Sequence, residues 1–235
     1  MKLFKKTLLA TALVGASVAA QAELSANVGV TTEYFWRGVS QSAGSPSVSG
    51  GFDYAADSGF YAGTWAGTID DDAGTIEVEG ELVDVNAFDG AEVDFYAGFG
   101  GDSGYMTYDV GYIYYYYPSV DDIDFGEIYG SAGFGPLSIF AAYTVNSDGD
   151  DNTDLFVEGD LFYSASLSGD ISENLSGGLT VGRYDFDNGF GLADYDYFQV
   201  DLTQSSDLGD FTLSFIDNDI SGSDSTVVFS WGLGI

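Results

Sequence analysis

The sequence predicts an all-β chain: a transmembrane antiparallel up-and-down β-barrel of about twelve strands, preceded by a cleaved leader. Three observations carry this. The first 22 residues have the build of an export signal. The remainder alternates apolar and polar side chains with period two and shows no useful helical period. The connections fall into two sets, tight turns on one edge and mostly longer, Asp-loaded loops on the other.

The opening "MKLFKKTLLATALVGASVAAQA" places Lys2, Lys5 and Lys6 ahead of a short apolar run from Leu8 to Ala20, and ends in Ala20-Gln21-Ala22. That is a secretory signal over residues 1–22, leaving residues 23–235 as the barrel. A retained membrane anchor fits less well, because a spanning helix needs about 20 apolar residues.

Loss of the leader removes three of the five basic residues, so Arg37 and Arg183 face 38 acids and the mature formal charge is −36. Phosphate binding rests on Lys and Arg, so nucleic acid is excluded as a partner; such a chain attracts cations. There is no cysteine to make a disulfide framework. There is no histidine either, which removes a Ser-His-Asp triad, His-ligated zinc or copper and a histidine proton shuttle. No enzyme is expected. Glu158 and Asp160 as a glycosidase pair share one strand and no cleft.

The alternating segments run approximately over 24–40, 46–55, 59–69, 91–100, 104–117, 125–134, 137–145, 153–166, 175–186, 195–204, 210–217 and 225–235. "AADSG", "GGDSG", "GP" and "SSDLG" are tight-turn sequences. "LSGDISEN" is long for that set. The opposite edge carries "DDAGTIEVEGELVDVNAFDG", "SVDDIDF", "NSDGDDN", "DNGFGLAD" and "DNDISGSD". In the first segment Leu24, Ala26, Val28, Val30, Tyr34 and Trp36 share one face; Ser25, Asn27, Gly29, Thr31, Glu33 and Arg37 share the other. A soluble sandwich would alternate in the same way with its apolar face inward.

Two features favour the membrane. One is the leader. The other is the ending "STVVFSWGLGI", where Val227, Phe229, Trp231, Leu233 and Ile235 occupy every second position. That looks like the terminal strand that the outer-membrane assembly machinery receives, although phenylalanine is the more usual last residue. In "GYIYYYYPS", Val110, Tyr112, Tyr114 and Tyr116 then face lipid. The tyrosines, with Trp36 and Trp231, belong to the aromatic girdle, while Tyr115 and Tyr117 line the upper lumen.

The stretches "TTEYFWRGVSQS", "GGFDYAADSGFYAGTWAG", "DFYAGFGG", "YDVGYIYYYYPS" and "GEIYGSAGFGPLSIFAAYT" together resemble the TorF family of porin-like outer-membrane proteins of proteobacteria, also called Gcw_chp. The likeness covers most of the mature chain and is densest in its first half. It implies an exported barrel in the bacterial outer membrane and leaves the substrate open, since a fold does not fix a function.

With the polar phase turned inward, the lumen receives Glu33, Arg37, Asp53, Asp94, Asp109, Glu127, Glu158, Asp160 and Asp201. Eight carboxylates and one guanidinium cannot all stay charged and dry. The expectation is a small cation-preferring channel for ions or modest polar solutes, as acidic rings make in other channels. The alternatives are a plugged barrel, or a non-conducting structural or adhesive barrel acting through its acidic loops. Arg37 is expected to pair with Glu33 or with a carboxylate on a neighbouring strand. Asp148, Asp150, Asp151 and Asp154 in "DGDDNTD" could hold calcium or magnesium and bridge to lipopolysaccharide, though the spacing lacks the distal glutamate of a calcium loop. No other cofactor is expected.

Overall fold

Alternating residues with short turn signals form strands that pair with their sequence neighbours. In the computed structural model twelve such strands close into a single antiparallel barrel. The structure describes residues 23–70, 72–78, 81–86, 90–149, 156–187 and 193–235, with backbone alone for 72–78 and 81–86. The expected leader therefore lies outside the described residues, as do Asp150, Asp151 and Asp154.

The barrel strands are β1 (Glu23–Thr31), β2 (Ser47–Ala55), β3 (Phe60–Ile69), β4 (Gly90–Asp102), β5 (Thr107–Tyr116) and β6 (Phe125–Phe134). They continue as β7 (Leu137–Ser147), β8 (Leu161–Asp170), β9 (Leu175–Asp185), β10 (Tyr195–Ser206), β11 (Gly209–Asn218) and β12 (Thr226–Gly234). Each pairs with the next. The barrel closes where β1 meets β12, from Asn27 opposite Gly234 to Thr31 opposite Ser230. Closure leaves no strand edge with unpaired backbone, the condition for spanning lipid.

Two limits differ from expectation. The first segment does not run to residue 40; the barrel strand stops at Thr31, and Phe35–Trp36 and Val39–Ser40 form a separate hairpin. The eighth strand starts at Leu161 instead of 153 and extends to Asp170, which shortens the next connection to residues 171–174, a tight turn like the others. Among the described residues, 70–89 also contain a small two-stranded sheet, Asp72–Val78 with Glu81–Asn86.

The two faces of the wall differ sharply. Phe52, Phe95, Phe99, Val110, Ile128, Leu179, Val200, Leu213 and Phe229 point outward and are exposed, Val110 at 58% and Phe52 at 61%. A water-soluble protein buries such residues; a band of them around a closed barrel is a surface for hydrocarbon. The inward phase of the turn half is mostly Ser, Thr, Asp, Gln and Gly, joined by Tyr61, Tyr96 and Tyr129, with hydroxyl pairs such as Ser166 with Thr180 at 2.8 Å and Thr203 with Thr212 at 2.9 Å. The inward phase of the loop half is aromatic.

Candidate functional site

The feature that organises the lumen is the segment between β1 and β2. At residues 35–40 it forms a hairpin whose two central residues, Arg37 and Gly38, have φ of 50° and 83°. Positive φ at both central positions matches the tight turn favoured in two-residue hairpins. Gly38 is required twice over, because a Cβ there would also overlap the Tyr197 ring.

This hairpin folds into the barrel. Its tip touches β6 through Arg37 and Glu127, with hydrogen bonds of 2.7 and 2.5 Å. On β10 the Tyr195 hydroxyl donates to the Arg37 carbonyl at 3.1 Å, and on β11 Asn218 Nδ2 donates to the Gly38 carbonyl at 2.7 Å. Glu127 sits five strands from β1 in the ring. The hairpin thus reaches across the lumen. A β-bulge between Gly126 and Glu127 sets the carboxylate where the guanidinium meets it.

Aromatic rings fill the space around the tip. The guanidinium lies 4.1 Å from the Trp36 ring centre and 4.3 Å from that of Phe162, near enough for cation–π attraction. Trp36 meets Tyr115, Phe125, Phe156 and Tyr184 edge-on or tilted at 5.4–6.2 Å. Two apolar clusters, one centred on Tyr115, Phe125 and Tyr129 and the other on Phe162, Tyr184 and Tyr197, both pack against Trp36, Phe140 and Phe156. The loop half is a plug.

The expected lumen residues separate accordingly. Arg37, Asp94 and Glu127 lie within the plug, with Glu127 only 1% and Asp94 7% exposed. Glu33 closes the hairpin base, accepting from Ser40 Oγ at 2.6 Å and from the Gly44 N–H at 3.1 Å. The partner of Arg37 is therefore neither Glu33 nor a neighbouring strand but the far wall. Asp160 is buried just before β8. Glu158 is exposed in the loop and does not line the lumen, because the strand begins after it.

Asp53, Asp109 and Asp201 lie on the inward phase of the wall on the turn side of the plug. Asp53 accepts from Tyr96 and from Asn27 at 3.4 Å, Asp109 from Tyr61 at 2.7 Å, and Asp201 from Gln199 at 2.8 Å and Ser214 at 2.6 Å. Glu92 was not anticipated. It is 1% exposed and accepts from the hydroxyls of Tyr34 and Tyr117, both at 2.9 Å. Its signal was its place two residues before Asp94, on the same inward phase.

Of the expected girdle, Tyr112, Tyr114 and Tyr116 point outward at the loop end, Tyr112 donating to Asn146 Oδ1 at 2.8 Å. Trp231 lies outward at the turn end, its indole N–H donating to the Leu208 carbonyl at 2.8 Å. Trp36 is not in the girdle; the inward hairpin carries it into the plug. Among the described residues no three acidic side chains converge to hold a metal. A hollow of about 1090 Å³ lies against the wall where small outward residues, among them Ala132, Ala141 and Ala165, interrupt Ile139, Tyr163 and Phe198; outward-facing residues form most of its lining.

Residues 15–229 match a family described as "bacterial protein of unknown function (Gcw_chp)". The chain belongs to the Gcw_chp family. No curated protein matches its sequence. Among solved structures, the KdgM porin aligns at TM-score 0.54 with 7% identity, over 89% of this chain and 97% of the porin. A KdgM porin in complex with disordered oligogalacturonate aligns at 0.53 with 7% identity, over 90% and 96%. At such identity the likeness is one of fold. For this member of the family, a closed bacterial barrel with an apolar outer band belongs to the outer membrane.

Proposed function

We propose that this barrel is a porin-like channel of the outer membrane, cation-preferring, whose loop end is held shut by the inward hairpin. The observation that carries the reading is the two-part lumen: an inward phase lined by Asp53, Asp109 and Asp201 on the turn side, capped by a plug whose hairpin is joined to the wall at both ends and held across it by the Arg37–Glu127 ion pair and by hydrogen bonds from Tyr195 and Asn218. A barrel meant only as a filled support needs no acidic lining. A passage needs one, and carboxylates without matching bases favour cations.

The cargo differs in charge from that named for the KdgM complex. Oligogalacturonate is a polyanion; here the described inner wall carries Asp53, Glu92, Asp94, Asp109, Glu127 and Asp201 against the single guanidinium of Arg37. A small cation or a neutral polar solute suits that wall better.

The test is the current through a planar bilayer under a salt gradient, carried by the refolded mature chain with residues 33–41 replaced by a short Gly-Ser link, which removes the hairpin that holds the loop end shut. A cation-selective reversal potential, reduced by joint replacement of Asp53, Asp109 and Asp201 with Asn, supports the channel. An anion-selective reversal potential, or one the triple replacement leaves unchanged, rejects the assignment. The tightness of the plug favours a second reading, a non-conducting barrel that acts through its acidic loops; it requires silence even when the hairpin is removed.

A further inference from the structure

At the loop end of the inner wall, three buried oxygens have no hydrogen-bond partner among the described residues: Oγ1 of Thr144, Oδ2 of Asp160 and the hydroxyl of Tyr184. Each of these residues is at most 1% exposed. Buried polar atoms are almost always satisfied, so three on adjoining strands at the same end of the barrel call for an occupant.

Strand register brings them together. Thr144 on β7 sits beside Asp160: its N–H donates to the Asp160 carbonyl at 3.0 Å, and the Gly159 N–H donates back to the Thr144 carbonyl at 3.0 Å. Tyr184 on β9 pairs opposite Phe162, two residues beyond Asp160 on the same inward phase, and the Asp160 charge acts on its phenol. Asp187 completes the surroundings. Its N–H donates to Asp160 Oδ1 at 2.8 Å, and its carboxylate lies against Gly159, where a Cβ would overlap it. Asp187 is exposed, so ions can reach the group from the loop end.

The charges are unbalanced. Arg37 lies 5.5 Å from the Tyr184 ring, but it is engaged by Glu127, whose position on β6 pairs directly opposite Thr144. One positive charge against Glu127, Asp160 and Asp187 leaves two negative charges in a largely buried patch. Burial pushes the Asp160 carboxyl up to about 6, against the opposing effect of the Asp187 N–H.

We propose that Thr144 Oγ1, Asp160 Oδ2, the Tyr184 hydroxyl and the Asp187 carboxylate form a calcium site that ties β7, β8 and β9 together behind the Arg37–Glu127 pair. A divalent ion matches the residual charge, and the donors are all oxygen, as calcium requires. Two carboxylates with neutral oxygens make a weak site, with a dissociation constant on the order of 10⁻⁴–10⁻³ M. The site does not depend on whether the barrel conducts.

The test uses the refolded mature protein in detergent, stripped with a chelator and titrated with calcium chloride by calorimetry; the heat-dependent gel mobility of the barrel verifies folding. The wild type is expected to show one saturable event. Asp160→Asn loses it, Thr144→Val raises the dissociation constant roughly tenfold, and Asp57→Asn at the turn end leaves it unchanged. Absence of saturable binding in the wild type, or unchanged binding in Asp160→Asn and Thr144→Val, overturns the site. If Asp160→Asn fails to fold, the nearly isosteric Thr144→Val decides alone: an unchanged constant rejects the proposal.

Discussion

Arg37 enters the lumen from β1 and grips Glu127 on the far wall through two hydrogen bonds of 2.7 and 2.5 Å, with the Tyr115 hydroxyl donating to the same carboxylate at 3.2 Å. Both ionic side chains are almost wholly buried. This pair fixes the hairpin in place. Burying it costs desolvation, so its worth lies less in net stability than in what happens when one partner is lost.

Glu127→Ala strands a guanidinium among aromatic rings. The expected loss is about 3–5 kcal/mol in urea unfolding from lipid vesicles. Removing both partners, as Arg37→Ala with Glu127→Ala, should cost less than the sum of the single changes; strict additivity would mean that the pair is not coupled.

Gly38→Ala should destabilise more than Gly44→Ala. Both glycines have φ near 80°, so each replacement strains the backbone by about 1–2 kcal/mol. Only at position 38 does a Cβ run into the Tyr197 ring, whereas position 44 is open. Equal midpoints in a denaturant series would show that the hairpin tip is not seated against Tyr197.

On the outer surface, Leu213→Arg places a cation toward hydrocarbon and should cost about 2–4 kcal/mol if the position lies near the bilayer midplane. Ser168→Arg, on the inward phase near the turns, should cost under about 1 kcal/mol by the same measurement. A reversed order would mean that the faces are misassigned.

Calcium affinity should fall as pH drops through about 6, because the proton competes for Asp160. The sign for stability without calcium is the opposite. The folded-state pKa is raised above the ordinary value for Asp, so ionised Asp160 carries a penalty that is present above about pH 6 and relieved toward about pH 4. Paired calorimetric titrations at pH 5 and 7.5 check the first statement. Equal affinities would place the ion elsewhere.

The barrel was legible because period-two alternation and turn residues are local signals, and twelve segments were countable from them. The plug was not. Tyr34 and Trp36 continue the phase of Val28 and Val30, so alternation carries the first segment smoothly past Thr31, where the chain in fact leaves the wall. The Arg37-Gly38 turn was the available clue. Alternation also says which residues share a face without saying what fills the lumen, so the inward rings of Tyr184, Tyr195 and Tyr197 became evident only in three dimensions, while the inward phase of Asp53, Asp94, Asp109 and Asp201 could be read directly. The pairing of Arg37 with Glu127 joins residues 90 apart and depends on closure of the whole ring.

The most direct measurement compares bilayer currents of the mature chain with those of a variant in which residues 33–41 are replaced by a short Gly-Ser link, under the same salt gradient. A gated, cation-preferring channel predicts little current from the intact barrel and a steady cation-selective conductance from the shortened one. A shortened barrel that inserts and folds yet carries no current, or passes anions preferentially, would contradict it.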